Sequence, residues 1–229
     1  MCGRFVQALD PTEYAEHFGA ALAVSARLEP SYNVAPTKEV YAVAEHEGER
    51  LLGTFRWGLV PFWAEDVRIG SRLINARAET IATTPAFRDS FRSKRCIVPA
   101  DGFYEWERRP SGGKLPHFVH DPGAPLALAG LWSTWRDRES GERLTSCTIV
   151  TTEPNNLLRP IHDRMPVVLA EEHWDRWLDR EFDDVEVLRD VLRPAPEGLL
   201  AEHPVSTLVN DVKNDFPECV APLEGPLPD

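Results

Sequence analysis

Apolar and polar residues alternate at a period of two through much of the middle of the chain, and this pattern predicts strands. Residues 39–46 alternate, residues 51–57 favour strand, and Gly48 between them predicts a hairpin. Residues 96–99 read as a buried strand, followed by 102–106, 116–120 and 126–135 as antiparallel neighbours with a tip at 109–113. Residues 144–151 and 166–170 are further strands flanking a polar link, and 203–209 is the last. Helical signals lie at the edges of this run. Asp10 followed by Pro11 predicts a helix over 10–18, 78–94 reads as one or two short helices, and 171–180 and 185–192 are amphipathic. The segment Tyr32-Asn33-Val34-Ala35-Pro36 is too short and too Pro-bounded for a helix and reads as a loop or edge segment.

With no internal repeat and no long linker, 1–229 is expected to be one domain with an irregular tail at 217–229. Its predicted class is α+β: a bent, mainly antiparallel sheet or small barrel flanked by helices. No segment approaches 18 uninterrupted apolar residues and the start lacks a signal peptide, so a membrane partner is not expected. Cys2, Cys96, Cys147 and Cys219 are far apart without a CxxC pair. That signals neither a disulfide framework nor a zinc site, so no metal or cofactor is expected and a reducing cytoplasm fits best.

The net charge of −12 speaks against a polyanion partner, but charge is uneven. Residues 68–95 carry seven basic against two acidic side chains, while 171–202 carry eleven acidic against four basic. A basic groove on an acidic body is compatible with this asymmetry, and so are two solvated faces.

Chemistry enters with Cys2. Loss of Met1 would leave an α-amine and a thiol on adjacent carbons, both nucleophiles usable near neutral pH. An aldehyde can form an imine with the amine and then be closed by sulfur into a thiazolidine ring. Three other readings stand beside this one: a buried structural cysteine, a lipidated terminus, and an N-terminal amidohydrolase nucleophile. Glu105 lies inside the aromatic run Phe103-Tyr104-Glu105-Trp106. It is either a solvent-facing strand residue or a buried proton-transfer acid, and it shares a face with Phe103. His162 precedes an apolar strand, and Asn75 and Arg77 point the same way if their segment is extended. The rings of Trp57-Gly58-Leu59-Val60-Pro61-Phe62-Trp63, broken by Gly and Pro, cannot all face a core.

Met1-Cys2-Gly3-Arg4-Phe5, Tyr32-Asn33-Val34-Ala35-Pro36, Trp57-Gly58, Ile74-Asn75-Ala76-Arg77-Ala78-Glu79-Thr80, Pro99-Ala100-Asp101-Gly102-Phe103-Tyr104-Glu105-Trp106, Ile161-His162-Asp163-Arg164-Met165-Pro166 and His203-Pro204-Val205 resemble, in this order, the SRAP family of abasic-site processing proteins. The resemblance spans nearly the whole chain. It implies a monomeric sensor and shield of abasic sites in single-stranded DNA, cytoplasmic and nucleoid-associated when bound, with replication-fork proteins as further candidate partners. It also implies a Met1-removing peptidase step and a lyase-type activity. By the same resemblance, Cys2 would form the thiazolidine, Asn75 would position the sugar or amine, Glu105 would transfer protons, and His162 would assist ring opening and reversal. Arg4, Arg77 and Arg164 would hold phosphates with support from Thr151, and Asn33, Pro36, Phe62 and Trp63 would line the place where DNA bends or stacks. Phe62-Trp63 stands where relatives carry two tryptophans, a departure that bears on base stacking. Two rival readings are an N-terminal-nucleophile amidohydrolase and a non-covalent single-strand binder. The former is disfavoured by Arg4 after Gly3 and by the lack of a downstream Arg-Gly-Pro-Asp-like motif.

Overall fold

Two sheets bury the alternating segments, and the chain crosses between them repeatedly. In the computed structural model, which describes residues 2–23, 27–110 and 112–224, β1 (Phe5–Gln7) leads into α1 (Pro11–His17), β2 (Ala21–Leu22), β3 (Ser31–Val34), β4 (Glu39–His46) and β5 (Glu49–Trp57). A 3-10 turn at Val67–Arg72 precedes β6 (Asn75–Arg77) and α2 (Arg88–Ser93). The central run is β7 (Arg95–Ala100), β8 (Gly102–Arg108), β9 (Lys114–His120), β10 (Leu126–Arg136) and β11 (Arg143–Thr152). It is followed by β12 (Met165–Pro166), α3 (Trp174–Leu178), α4 (Val185–Asp190) and β13 (Ala201–Pro204).

Strands β11, β10, β7, β4 and β5 are successive antiparallel neighbours, and a parallel pairing of β11 with β5 closes them into a ring. A ring of five cannot be closed by antiparallel pairs alone, so one seam must be parallel. Closure leaves these five strands no free edge. The second sheet runs β13-β9-β8-β1-β3. The expected α+β class with a small antiparallel barrel is thus the observed one.

Alternation decides which residues meet which layer. Tyr41, Val43, Ile97, Ala129 and Leu131 pack beneath Tyr14 and Phe18 of the α1 region, Phe91 of α2, Trp177 of α3 and Leu188 of α4. Their neighbours in sequence, Val40, Ala42, Cys96 and Val98, join Cys2 and Phe5 at the N-terminal end and Phe103 of β8.

Local chemistry places the ends of several elements. The Asp10 carboxylate accepts the Thr12 N–H at 2.9 Å and Pro11 occupies the first turn, which starts α1 where the sequence predicts it. Glu47 (φ 52°) and Gly48 (φ 82°) both take the left-handed region, as a tight two-residue hairpin turn demands. Gly58 and Gly70 lie backbone to backbone: a Cβ on Gly58 would fall 2.6 Å from the Gly70 carbonyl oxygen. This contact pins the segment between β5 and β6.

Four expectations are corrected. β9 pairs with β8 and β13, not with β10, which turns into the ring between β7 and β11. The last strand ends at Pro204, and a 3-10 turn at Thr207–Asn210 follows because Ser206 caps the Leu208 N–H. Residues 171–180 split into a 3-10 turn (Glu171–His173) and α3, whereas 78–94 holds one short helix, α2, in keeping with the one or two expected. The tail expected to be irregular folds back at Pro217–Val220 with Cys219 buried, while 225–229 lie outside the described residues.

Candidate functional site

The antiparallel register of β1 and β8 sets Phe5 opposite Phe103, and the Tyr104 N–H donates to the Arg4 carbonyl at 3.0 Å. Residues 2–4 therefore run along β8 at the level of Glu105. Asn75, in β6 beside Ile149 of β11, donates from Nδ2 to the Cys2 carbonyl at 2.8 Å. Its Oδ1 is buried without a hydrogen-bond partner among the described residues. His162 is carried by the link between β11 and β12, where the Ile161 and His162 N–H groups both bond the Leu158 carbonyl. Its Nε2 stands 3.9 Å from Glu105 Oε2. The sequence-predicted quartet Cys2, Asn75, Glu105 and His162 is thereby brought together from four separate parts of the chain. Met1, whose removal the sequence reading requires, lies outside the described residues.

Electrostatics in this corner follow burial. Glu105 is only 1% exposed, and desolvation pushes its carboxyl up to about 7. Of the two sequence readings of Glu105, the buried one is the observed one. Burial also drives the Cys2 thiol well above its ordinary range, and the charge of Glu105 raises it further. The sulfur is a neutral thiol in the resting protein. His162 is held below its usual value, chiefly by burial. The Arg164 N–H donates to His162 Nδ1 at 3.0 Å, so the neutral ring carries its proton on Nε2, the atom nearest Glu105. Asp163 also approaches Nδ1 at 3.0 Å, but its side chain is largely exposed and solvent weakens its pull.

Two clefts flank this corner. One, of about 570 Å3, is lined by Trp106, Arg108, Pro154, Arg159, Pro160, Ile161, His162 and Asp163. The other, of about 310 Å3, is lined by Arg4, Trp106, Lys114 and Asn210. Trp106 borders both, and its Nε1 donates to Asn210 Oδ1 at 2.7 Å. Ile161 joins the larger cleft to the apolar cluster that encloses Cys2. Basic Arg4, Arg108, Lys114 and Arg159 outnumber acidic Asp163 along these walls.

The remaining predicted residues fall into two kinds. Arg4 Nη1 donates to Asn33 Oδ1 at 2.6 Å and to the Val209 carbonyl at 3.0 Å, while Asn33 Nδ2 bonds the carbonyls of Val209, Asp211 and Asn214. Asn33 is a buried brace for residues 209–214. Arg164 makes a two-pronged ion pair with Glu79 at 2.5 and 3.0 Å and donates to the Thr151 carbonyl at 2.6 Å. Thr151 is fully buried, and its carbonyl and hydroxyl both face Arg164. Arg77, Phe62 (58% exposed) and Trp63 (44% exposed) present to solvent. Pro36 enters a turn where β-branched Thr37 is forced to φ 73°, a strained conformation anchored by its N–H to the Trp57 carbonyl.

Sequence reasoning missed Trp106, Arg108, Lys114 and Arg159 as cleft residues. Trp106 was legible as the ring beside Glu105. The three basic side chains carry no local signal, because only the pairing of β8 with β9 and the fold of the 154–163 link bring them to one face.

Together these features define a small α+β protein whose buried Cys2 lies near a carboxylic acid and an imidazole beside a basic cleft. The chain belongs to the SOS response associated peptidase (SRAP) family, whose family model matches residues 1–212. It is 41% identical over 222 residues to abasic site processing protein YoqW of Bacillus subtilis (strain 168), covering 96% of this chain and 99% of that protein. It is 34% identical to abasic site processing protein HMCES of Gallus gallus, over 88% of this chain and 69% of that protein. A crystal structure of a Bacteroides thetaiotaomicron protein superposes with a TM-score of 0.88 at 25% identity, covering 97% of this chain and all of that one.

Proposed function

We propose that this chain processes abasic sites in single-stranded DNA by capturing them covalently through Cys2 after a peptidase step has removed Met1. The observation that carries the reading is the conjunction at Cys2: its carbonyl is tied to Asn75, whose buried Oδ1 offers an acceptor, and its thiol lies within the field of Glu105. An amine at this position fits that acceptor, and the relatives named for abasic-site processing supply the aldehyde class.

The chemistry runs in balanced steps. His162 assists opening of the deoxyribose ring by moving a proton at the ring oxygen. The Cys2 amine adds to C1′, and Glu105, with an acidity near neutrality, donates the proton with which the hydroxyl leaves as water. The nitrogen is left as a protonated imine; the thiol adds to its carbon, the thiol proton returns to Glu105, and a neutral thiazolidine is formed with the acid regenerated. The imine is also a species from which C2′ can lose a proton while the C3′–O bond breaks, which gives the site a lyase route. Because the resting thiol is buried and neutral, it is shielded until DNA opens the corner between Ile161 and Trp106.

Binding without base readout needs phosphate contacts and stacking surfaces. Arg77 and Arg159 supply the former, joined by Arg4 and Arg164 once DNA draws them from their internal partners, and Trp106, Phe62 and Trp63 the latter. With about three to five such contacts the salt slope on single strands is about −2 to −3.5, which an acidic protein can sustain.

Incubation with a single-stranded oligonucleotide bearing one abasic site should give a heat-stable shifted band on a denaturing gel. Cys2→Ala, or an uncleavable residue placed ahead of Cys2, should abolish it. Equal crosslinking by Cys2→Ala would assign the bond to another nucleophile.

A further inference from the structure

A second ionisable cluster lies beside Glu105 on the same face of the sheet and takes no part in the scheme above. In the antiparallel pairing of β8 and β9, Glu105 is directly opposite His117, so their side chains share a face. Alternation along β8 brings Glu107 to the same face. Glu202 reaches it from β13, which pairs with the far side of β9. His117 is 8% exposed. Its Nδ1 stands 2.7 Å from Glu202 Oε2 and its Nε2 3.3 Å from Glu107 Oε2. An ionised carboxylate only accepts hydrogen bonds, so both contacts are hydrogen bonds only when both ring nitrogens carry protons.

We propose that His117 is a positioning residue for Glu105: bridging Glu107 and Glu202, it fastens the three strands β8, β9 and β13 and, when protonated, sets a cation on the same face as the Glu105 carboxyl. This rests on reading Glu105 as the proton-transfer group. The charged neighbours act in known directions. From β8 come Glu105 and Glu107, with Arg109 beyond them 4.0 Å from Glu107; from β13 comes Glu202; from the link before β12 come His162 and Asp163, both facing Glu105; and Lys114 starts β9 itself. With His117 protonated, the group of His117, Glu107 and Glu202 carries a net charge of one minus. With a neutral side chain in its place it carries two, and the Glu105 carboxylate is disfavoured further.

The test uses NMR of the DNA-free protein, so it is independent of crosslinking. The side-chain carboxyl 13C resonance of Glu105 should titrate about one pH unit higher in His117→Gln than in wild type. His117→Arg, which keeps a cation with donors for both carboxylates, should return the midpoint toward wild type. An unmoved Glu105 midpoint in a folded His117→Gln overturns the positioning role even if its melting temperature drops. If wild type fails to crosslink abasic DNA while the midpoint moves as stated, the proposed function fails and the electrostatic role of His117 stands.

Discussion

Arg95 and Glu105 are each about 1% exposed, yet the protein treats the two buried charges in opposite ways. Arg95, at the start of β7, is surrounded by carbonyls: Nε donates to Trp177, Nη1 to Phe91 and Arg92, and Nη2 to Asp179 and Phe182, with the Trp177 ring 5.9 Å away. Burial pulls its acidity down only to about 10, so it stays a cation near neutrality. It ties the ends of α2 and α3 to the ring of strands. Glu105 accepts a backbone hydrogen bond from Trp106, faces an imidazole at 3.9 Å and a neutral thiol, and is raised by burial to about 7, near half-ionisation. A buried charge whose bonds are filled is a structural tie. One left near its titration point is available for proton transfer.

The contrast can be broken most strongly at Arg95. Arg95→Met leaves five carbonyls without a donor and should cost about 3–5 kcal/mol, seen as a melting midpoint roughly 10 °C lower, with crosslinking per folded molecule kept. A loss of less than about 1 kcal/mol would show that the carbonyls find other donors.

Glu105→Gln should do the reverse. The crosslinking rate should fall about 100-fold or more, because the amide cannot relay a proton. The folded-state value of about 7 lies above the ordinary 4.5, so the wild-type carboxyl favours folding below pH 4.5 and loses that contribution as pH rises to 7. The variant should therefore be more stable than wild type at pH 8, by on the order of 2–3 kcal/mol, and not at pH 4; denaturant melts at the two pH values check the sign. The smallest expected effect is at the cleft rim. Arg159→Gln should lower the salt slope of DNA binding by about 0.7, one phosphate contact, and leave the rate at saturation alone.

Legibility in the sequence tracked how local each determinant is. The Asp10-Pro11 helix start and the hairpin around Gly48 follow from neighbouring residues, and both were readable. So was the face that Glu105 shares with Phe103, because alternation fixes it. The Arg95 tie was invisible, since its five acceptors are backbone atoms set by α2, α3 and the turns after it. The internal engagement of Arg4 and Asn33, the burial of Thr151, and the placing of β9 beside β13 all depend on pairings between distant segments. Arginine and asparagine in a motif look the same whether they face a phosphate or the chain's own carbonyls.

The brace formed by Arg4, Asn33 and the carbonyls of residues 209–214 has a bearing on biosynthesis. A ribosome releases the cysteine end first, but the support for that end is translated some two hundred residues later. The corner around Cys2 is therefore among the last parts of the molecule to be finished. A nascent or truncated chain lacks the framework that supports residues 2–4, so the proposed capture would be confined to copies synthesised past residue 214.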